Sequence, residues 1–233
     1  MFERQVCFCA DDVGMDDALD DGVRASVEQG VVLRSVSFAP RGGSASRIAG
    51  WLRRTNAAVG LHAIYGGAPL PEQVRAFQDH LGAPPAFINS HKHLHILPAL
   101  RDRLIEAAVS GGVRAIRNPV DLVAHRLAAP WWPLRPRMLA WPLASQVARG
   151  VAPKARARGL VCPDGMVGGL HMGRLSMGVL DELWPLLRGG PSCVEVVVHP
   201  RWRSAERVAL TAPLLAATLA HEGLAHIDYR AVT

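Results

Sequence analysis

The chain has 233 residues, 49% hydrophobic and 20% charged, with a formal net charge of +6. This suits a globular protein with a sizeable core, and no apolar run approaches the 18 residues of a transmembrane helix. Four cysteines without CxxC spacing read as reduced thiols in a cytoplasmic protein, and the first residues show no signal-peptide pattern.

Residues 4–9 read as a buried strand running into Ala10-Asp11-Asp12. A helix is predicted over 16–29: Asp16 or Asp17 caps it, Leu19, Val23 and Val27 form its apolar stripe, and Gly30 suits its end. Residues 34–39 read as a strand, 43–55 as a helix, and 57–61 as a short strand ending at His62. A helix over 72–81 stops at Gly82. Ala86-Phe87-Ile88 is a strand that runs into Asn89-Ser90-His91-Lys92-His93-Leu94-His95. Pro98 opens a helix that reaches Ser110, and residues 113–116 form a strand ending at Arg117. Residues 121–158 read as helical, broken by Pro130, Pro133, Pro136, Pro142 and Pro153. A helix over 177–188, a strand over 193–198 ending at His199-Pro200, a helix over 207–222 and a strand over 225–228 complete the pattern.

No Gly/Ser tract, charge block or low-complexity run divides the chain, so a single domain over 1–233 is expected. Alternating strands and helices imply parallel βαβ units. They leave a (β/α) barrel or a doubly wound open sheet. No GxGxxG follows the first strand, which argues against a dinucleotide fold. Asp11, Asp12, His62, His91 and His199 all fall at carboxyl ends of predicted strands. Barrel active sites are built on that rim, so a barrel of about seven strands is the expected fold.

Three of the ten histidines, His91, His93 and His95, occupy every second position. In an extended segment such residues project from one face, where a divalent metal can use them. A polar loop rich in histidine is the competing reading. Asp11-Asp12 reads either as a helix-capping pair or as two functional carboxylates. His62 reads as packing or as site. His199 directly follows the apolar run Val196-Val197-Val198. One Asp and two His make a three-ligand open site for a divalent ion, with a carboxylate left as base and a histidine as acid. Those parts suffice for metal-assisted amide or ester hydrolysis.

Four segments occur in order: Ala10-Asp11-Asp12-Val13-Gly14; Gly60-Leu61-His62 with Gly67-x-Pro69; Asn89-Ser90-His91-Lys92-His93-Leu94-His95-x-x-Pro98; and Glu195-x-x-x-His199-Pro200. This order resembles the YdjC-like carbohydrate deacetylase family over nearly the whole chain. The Asn-Ser-His-Lys-His wording and an Ala-Pro-Trp segment are most similar to the branch associated with hopanoid biosynthesis. The resemblance implies a distorted TIM-like (β/α) barrel related to polysaccharide deacetylases. It implies removal of an N-acetyl group from an amino sugar or glycoconjugate, with release of acetate. By motif position it makes Asp12, His62 and His91 ligands of one divalent ion, zinc or magnesium. Asp11 would be the general base that activates the attacking water, and His199 the general acid that protonates the leaving amine. Arg117 resembles a family arginine near the site, and His93 and His95 become lining of the substrate pocket or supports behind the ligands, rather than ligands themselves. Val13 departs from the usual aromatic, and Asn89 stands where many relatives have Asp. The resemblance also suggests a homodimer.

Residues 130–160 hold Trp131, Trp132 and Trp141 with six basic residues and no acid. They read as a lid that touches a lipid-linked or phosphate-bearing glycan, with Trp131 and Trp132 on the substrate and a peripheral contact at the inner membrane face. The competing reading is a pair of Pro-broken helices with solvated arginines. No nucleic-acid motif accompanies the basic charge, so no nucleic acid is expected. The alternatives to a deacetylase are another metallohydrolase, such as a phosphoesterase, or a non-catalytic basic barrel that binds glycan or lipid.

Overall fold

The computed structural model describes residues 4–123, 136–169 and 173–233. Its strands are β1 (Arg4–Val13), β2 (Leu33–Phe38), β3 (Ala58–Ala63), β4 (Phe87–Ser90), β5 (Ala115–Ile116), β6 (Gly165–Val167), β7 (Cys193–Val198) and β8 (Leu224–His226). Between them run α1 (Asp17–Gln29), α2 (Ala45–Leu52), α3 (Leu70–Leu81), α4 (Pro98–Ser110), α5 (Pro136–Ala148), α6 (Val151–Ala157), α7 (Met177–Gly189), α8 (Ala205–Thr211) and α9 (Pro213–His221).

All strand pairs are parallel, in the order β5-β4-β3-β2-β1-β7-β6. β8 pairs with Arg4, Gln5 and Val6 at the start of β1. The two edges of the sheet meet through single bridges, Ala115 with Val161 and Asp121 with Met166. Backbone bonds from Ile116 N to Val161 O (3.0 Å) and from Leu122 N to Met166 O (2.9 Å) complete that seam. The result is the expected (β/α) barrel, distorted because its closure rests on bridges rather than on a full ladder.

Successive side chains of a strand point to opposite faces. On one face Val6, Phe8, Val36, Phe38, Leu61, Ile88, Ile116, Val194 and Val196 join the large core beneath the helices. On the other, Cys7, Cys9, Ala58, Phe87, Ala115 and Cys193 form a separate cluster inside the barrel, closed by Tyr229 and Val232. All four cysteines are buried free thiols, as their spacing predicts. Two residues further along the same strands the interior turns polar, with Asp11 after Cys9, Asn89 after Phe87, Arg117 after Ala115 and Glu195 after Cys193. Gly60 makes room for this packing: a Cβ there would stand 2.5 Å from the Phe87 ring.

Several elements differ from expectation. β6 has three residues, too few to show a period. The helix expected over 207–222 is split into α8 and α9 at Ala212, which is extended (φ −67°, ψ 124°) because Pro213 follows it. Pro142 lies inside α5 rather than ending a helix. β4 stops at Ser90, and His91–Ile96 is a 3-10 turn in which Lys92 (φ 55°) and His93 (φ 53°) are left-handed. The alternating histidines are therefore not on a strand. Among the described residues no helix is long and apolar enough to cross a membrane.

Candidate active site

β1 carries two adjacent carboxylates to the rim, and a bulge lets both face it. The pairing register with β2 slips between Ala10 and Val13, and Asp12 is left-handed (φ 62°). Bulges re-aim side chains in this way. Asp11 continues the inward series of Cys7 and Cys9, whereas Asp12 swings towards the ends of β3 and β4.

There Asp12 meets two imidazoles. Its Oδ1 lies 2.8 Å from His62 Nε2 and 2.9 Å from His91 Nδ1, and the two nitrogens are 3.4 Å apart. Donor atoms of the three residues all lie within 4.8 Å of one another. His199 Nε2 approaches from β7, 3.7 Å from Asp12 Oδ2. The structure thus brings together Asp11, Asp12, His62, His91 and His199 from four strand ends.

The surroundings fix these groups. Asn89 Nδ2 donates to Asp11 Oδ1 at 3.1 Å, so the amide oxygen is the end that faces His62 Nδ1, at 2.7 Å. His62 Nδ1–H is thus turned to Asn89, and Nε2 is the nitrogen that faces Asp12 and would ligate an ion once it sheds its proton. Ser37 Oγ donates to the same Asn89 oxygen at 2.7 Å. Arg117 bonds both oxygens of Asp11, Nη1 to Oδ2 at 2.5 Å and Nη2 to Oδ1 at 2.8 Å. It also grips Glu195 through Nε (2.9 Å) and Nη2 (2.5 Å). Glu206 Oε2 accepts from the backbone N of His199 at 2.5 Å, and its Oε1 from Leu175 N at 3.1 Å.

Burial pushes the Asp11 carboxyl up, but Arg117 and then His62 outweigh it and hold the group well below the usual carboxylate range. Burial likewise opposes ionisation of Asp12, and hydrogen bonds from His62 and His91 overcome it. For His62 burial favours the neutral ring, yet Asp11 and Asp12 raise its pKa overall. His199 is shifted down by burial, which Asp11 and Asp12 only partly offset. Arg117 serves Asp11 and Glu195, whereas Asp12 meets imidazoles, so among the described residues the Asp12 carboxylate is left with an excess of negative charge. Two imidazole nitrogens and a carboxylate oxygen aimed at one another, with that excess, fit a divalent cation.

Other expected residues lie elsewhere. Arg117 has no solvent exposure, so it holds carboxylates beneath the site and offers a substrate no surface. His93 (3% exposed) and His95 (fully buried) do not line an open pocket either. His95 Nδ1 is 2.7 Å from Ser90 Oγ, and burial lowers its pKa to about 3. Trp131 and Trp132 lie outside the described residues. Among the basic residues of 130–160 whose side chains are described, Lys154 pairs with Asp102 (2.9 Å), Arg156 with Asp164 (3.2 Å) and Arg158 with Glu106 (2.8 Å). A cavity of about 720 Å³ bordered by Tyr65, Leu70, Gln73 and Arg103 contains none of the clustered donors. Sequence reasoning gave no role to Ser37, Asn89, Glu195, Glu206 or Tyr229. The signal for three of them was polar residues at alternate positions of otherwise apolar strands.

A family model described as YdjC-like protein matches residues 68–223. This chain belongs to the YdjC-like family. A human protein named carbohydrate deacetylase is 29% identical to this YdjC-like chain over 182 residues, covering 66% of the chain and 55% of the relative. The mouse protein of the same name is 28% identical and 58% covered, so the chain spans little more than half the length of these relatives. Among solved structures, an Enterococcus faecalis protein assigned to cellobiose-phosphate cleavage superposes with a TM-score of 0.70 at 16% identity, covering 97% of this chain and 98% of the other. An uncharacterized Agrobacterium tumefaciens protein gives 0.60 at 11% identity, with 99% and 89% covered. At such identities the likeness is one of fold.

Proposed function

We propose that this YdjC-like chain is a divalent-metal-dependent hydrolase that removes the N-acetyl group of an amino sugar or glycoconjugate and releases acetate. The observation that carries the proposal is the Asp12–His62–His91 cluster, with Asp11 and His199 beside it. The names of the human and mouse relatives support the choice of bond.

Asp12, His62 and His91 would hold the ion, and two imidazoles favour zinc over magnesium. When bound, the ion would polarise the acetyl carbonyl and acidify water. Asp11, kept ionised by Arg117, takes a proton from the attacking water as its oxygen bonds to the amide carbon. His199 gives a proton to the nitrogen as the C–N bond breaks, leaving acetate and a free amine. Asn89 steers both chemistries, since it bonds Asp11 through its nitrogen and His62 through its oxygen.

The lipid-linked form of the substrate rests on the resemblance to the hopanoid-associated branch and on the Trp131-Trp132 pair. Replacing both tryptophans by Ala should then weaken substrate or liposome binding and leave metal affinity intact.

The deciding experiment joins metal analysis to an acetate assay over a panel of N-acetylated sugars and glycolipids. Wild type should release acetate, Asp11→Asn should lose activity but keep metal, and His91→Ala should lose both. Full metal occupancy in His91→Ala would overturn the ligand set. Release of phosphate from phosphate esters without acetate release would favour the phosphoesterase alternative.

A further inference from the structure

The Arg117–Glu195 pair lies one layer below the reacting groups. Both side chains have zero exposure. A buried ion array of this kind is a weak stabiliser compared with apolar packing, so its presence points to a role in specifying geometry. Glu195 does not reach the Asp12–His62–His91 cluster. Its bonds go to Arg117 and to Tyr229, whose hydroxyl donates to Oε2 at 2.5 Å.

Tyr229 is itself held on three sides. Its ring stacks on Phe87 with centroids 3.8 Å apart and planes 10° from parallel. Its backbone N–H donates to Ser35 Oγ at 3.0 Å. Gly60 leaves room for the Phe87 ring beneath the stack. A continuous line of hydrogen bonds therefore runs from a rigid tyrosine at the barrel floor through Glu195 and Arg117 to Asp11 at the rim.

We infer that Glu195 and Tyr229 are positioning residues for Asp11, acting through Arg117. This rests on the reading of Asp11 as the base. A guanidinium gripped only by Asp11 is free to rock about its own stem and carry that carboxylate with it. Gripped on its other edge by Glu195, and with Glu195 pinned by Tyr229, it presents Asp11 in one orientation. The atoms that would hold the ion lie outside this line, so its loss should affect orientation of the base rather than binding of the ion.

The test compares wild type, Tyr229→Phe and Glu195→Gln in three measurements: steady-state acetate release, zinc affinity by chelator competition, and exchange of the Arg117 Nε–H resonance in 15N-labelled protein. Tyr229→Phe keeps the ring stack and removes one hydroxyl, so it remains informative if Glu195→Gln fails to fold. Its expected kcat is about tenfold below wild type, with KM and zinc affinity within twofold and with faster Nε–H exchange. Glu195→Gln should lose more kcat in the same pattern. A Tyr229→Phe kcat within twofold of wild type, an effect confined to KM, a loss of zinc, or unchanged Nε–H exchange overturns the inference. A wild type that releases no acetate from any substrate in the panel instead overturns the functional reading, and the exchange arm still decides whether Tyr229 fixes Arg117.

Discussion

Gly22 of α1 and Pro200 touch so closely that a Cβ on Gly22 would stand 1.8 Å from the Pro200 carbonyl oxygen. The loop after His199 is thus laid directly on the helix backbone, and Trp202 N donates to Ala18 O at 2.9 Å to hold it there. Glycine inside a helix costs about 1 kcal/mol relative to alanine. Here the cost accompanies close seating of the proposed acid. Gly22→Ala should gain helix propensity yet displace the loop. Acetate release should fall at least tenfold while zinc affinity stays unchanged, because Asp12, His62 and His91 stand on other elements. Steady-state kinetics with chelator competition checks this, and wild-type kcat in the variant would contradict it.

Asn89 gives a second test. Its oxygen faces His62 Nδ1 and its nitrogen donates to Asp11. Partners of this kind are typically worth 10- to 100-fold in metal affinity. Asn89→Ala should lower zinc affinity by about that factor and lower kcat as well. Asn89→Asp keeps the acceptor for His62 but sets a carboxylate against Asp11, so it should retain more zinc affinity than activity.

His95 makes a pH prediction. Its folded pKa is lowered to about 3 by burial, whereas an unfolded histidine titrates near 6.5. The unfolded chain therefore takes up a proton that the folded chain refuses. The stability His95 contributes is fully present above about pH 6.5 and is lost as pH falls towards 3. Between pH 6.5 and 4 the loss from this residue is roughly 3 kcal/mol. Urea unfolding of wild type and His95→Gln across that range should show a shallower pH dependence in the variant. Parallel curves would refute the assignment.

Gly60→Ala tests the barrel floor. Its Cβ would press on the Phe87 ring, which cannot withdraw because Tyr229 is stacked against it. Overpacking of this sort costs about 1–3 kcal/mol, to be read from the urea midpoint.

Much of the architecture was legible because its signals are local. Asp16 caps α1 by accepting from Leu19 N, Pro98 opens α4, and the valine-rich stretch 193–198 is β7. What was misread depends on neighbours distant in sequence. Three residues of β6 become a strand only because β7 lies alongside them. Residues 91–96 alternate as a strand would, but β4 has ended and the chain turns into α4 through left-handed Lys92 and His93. That turn sends His91 towards Asp12 and buries His93 and His95.

The sequence by itself determined which chemical groups are available and, through the two-residue period of each strand, which of them face the barrel interior. That period follows from backbone dihedrals and needs no partner. Only the tertiary structure decided which groups meet. Arg117 bonds Asp11 across 106 positions and Glu195 across 78, and His91 reaches Asp12 across 79. Such contacts are set by closure of the sheet and by packing around it. For the same reason Arg117, expected at the substrate, is buried beneath the cluster and bonds Asp11.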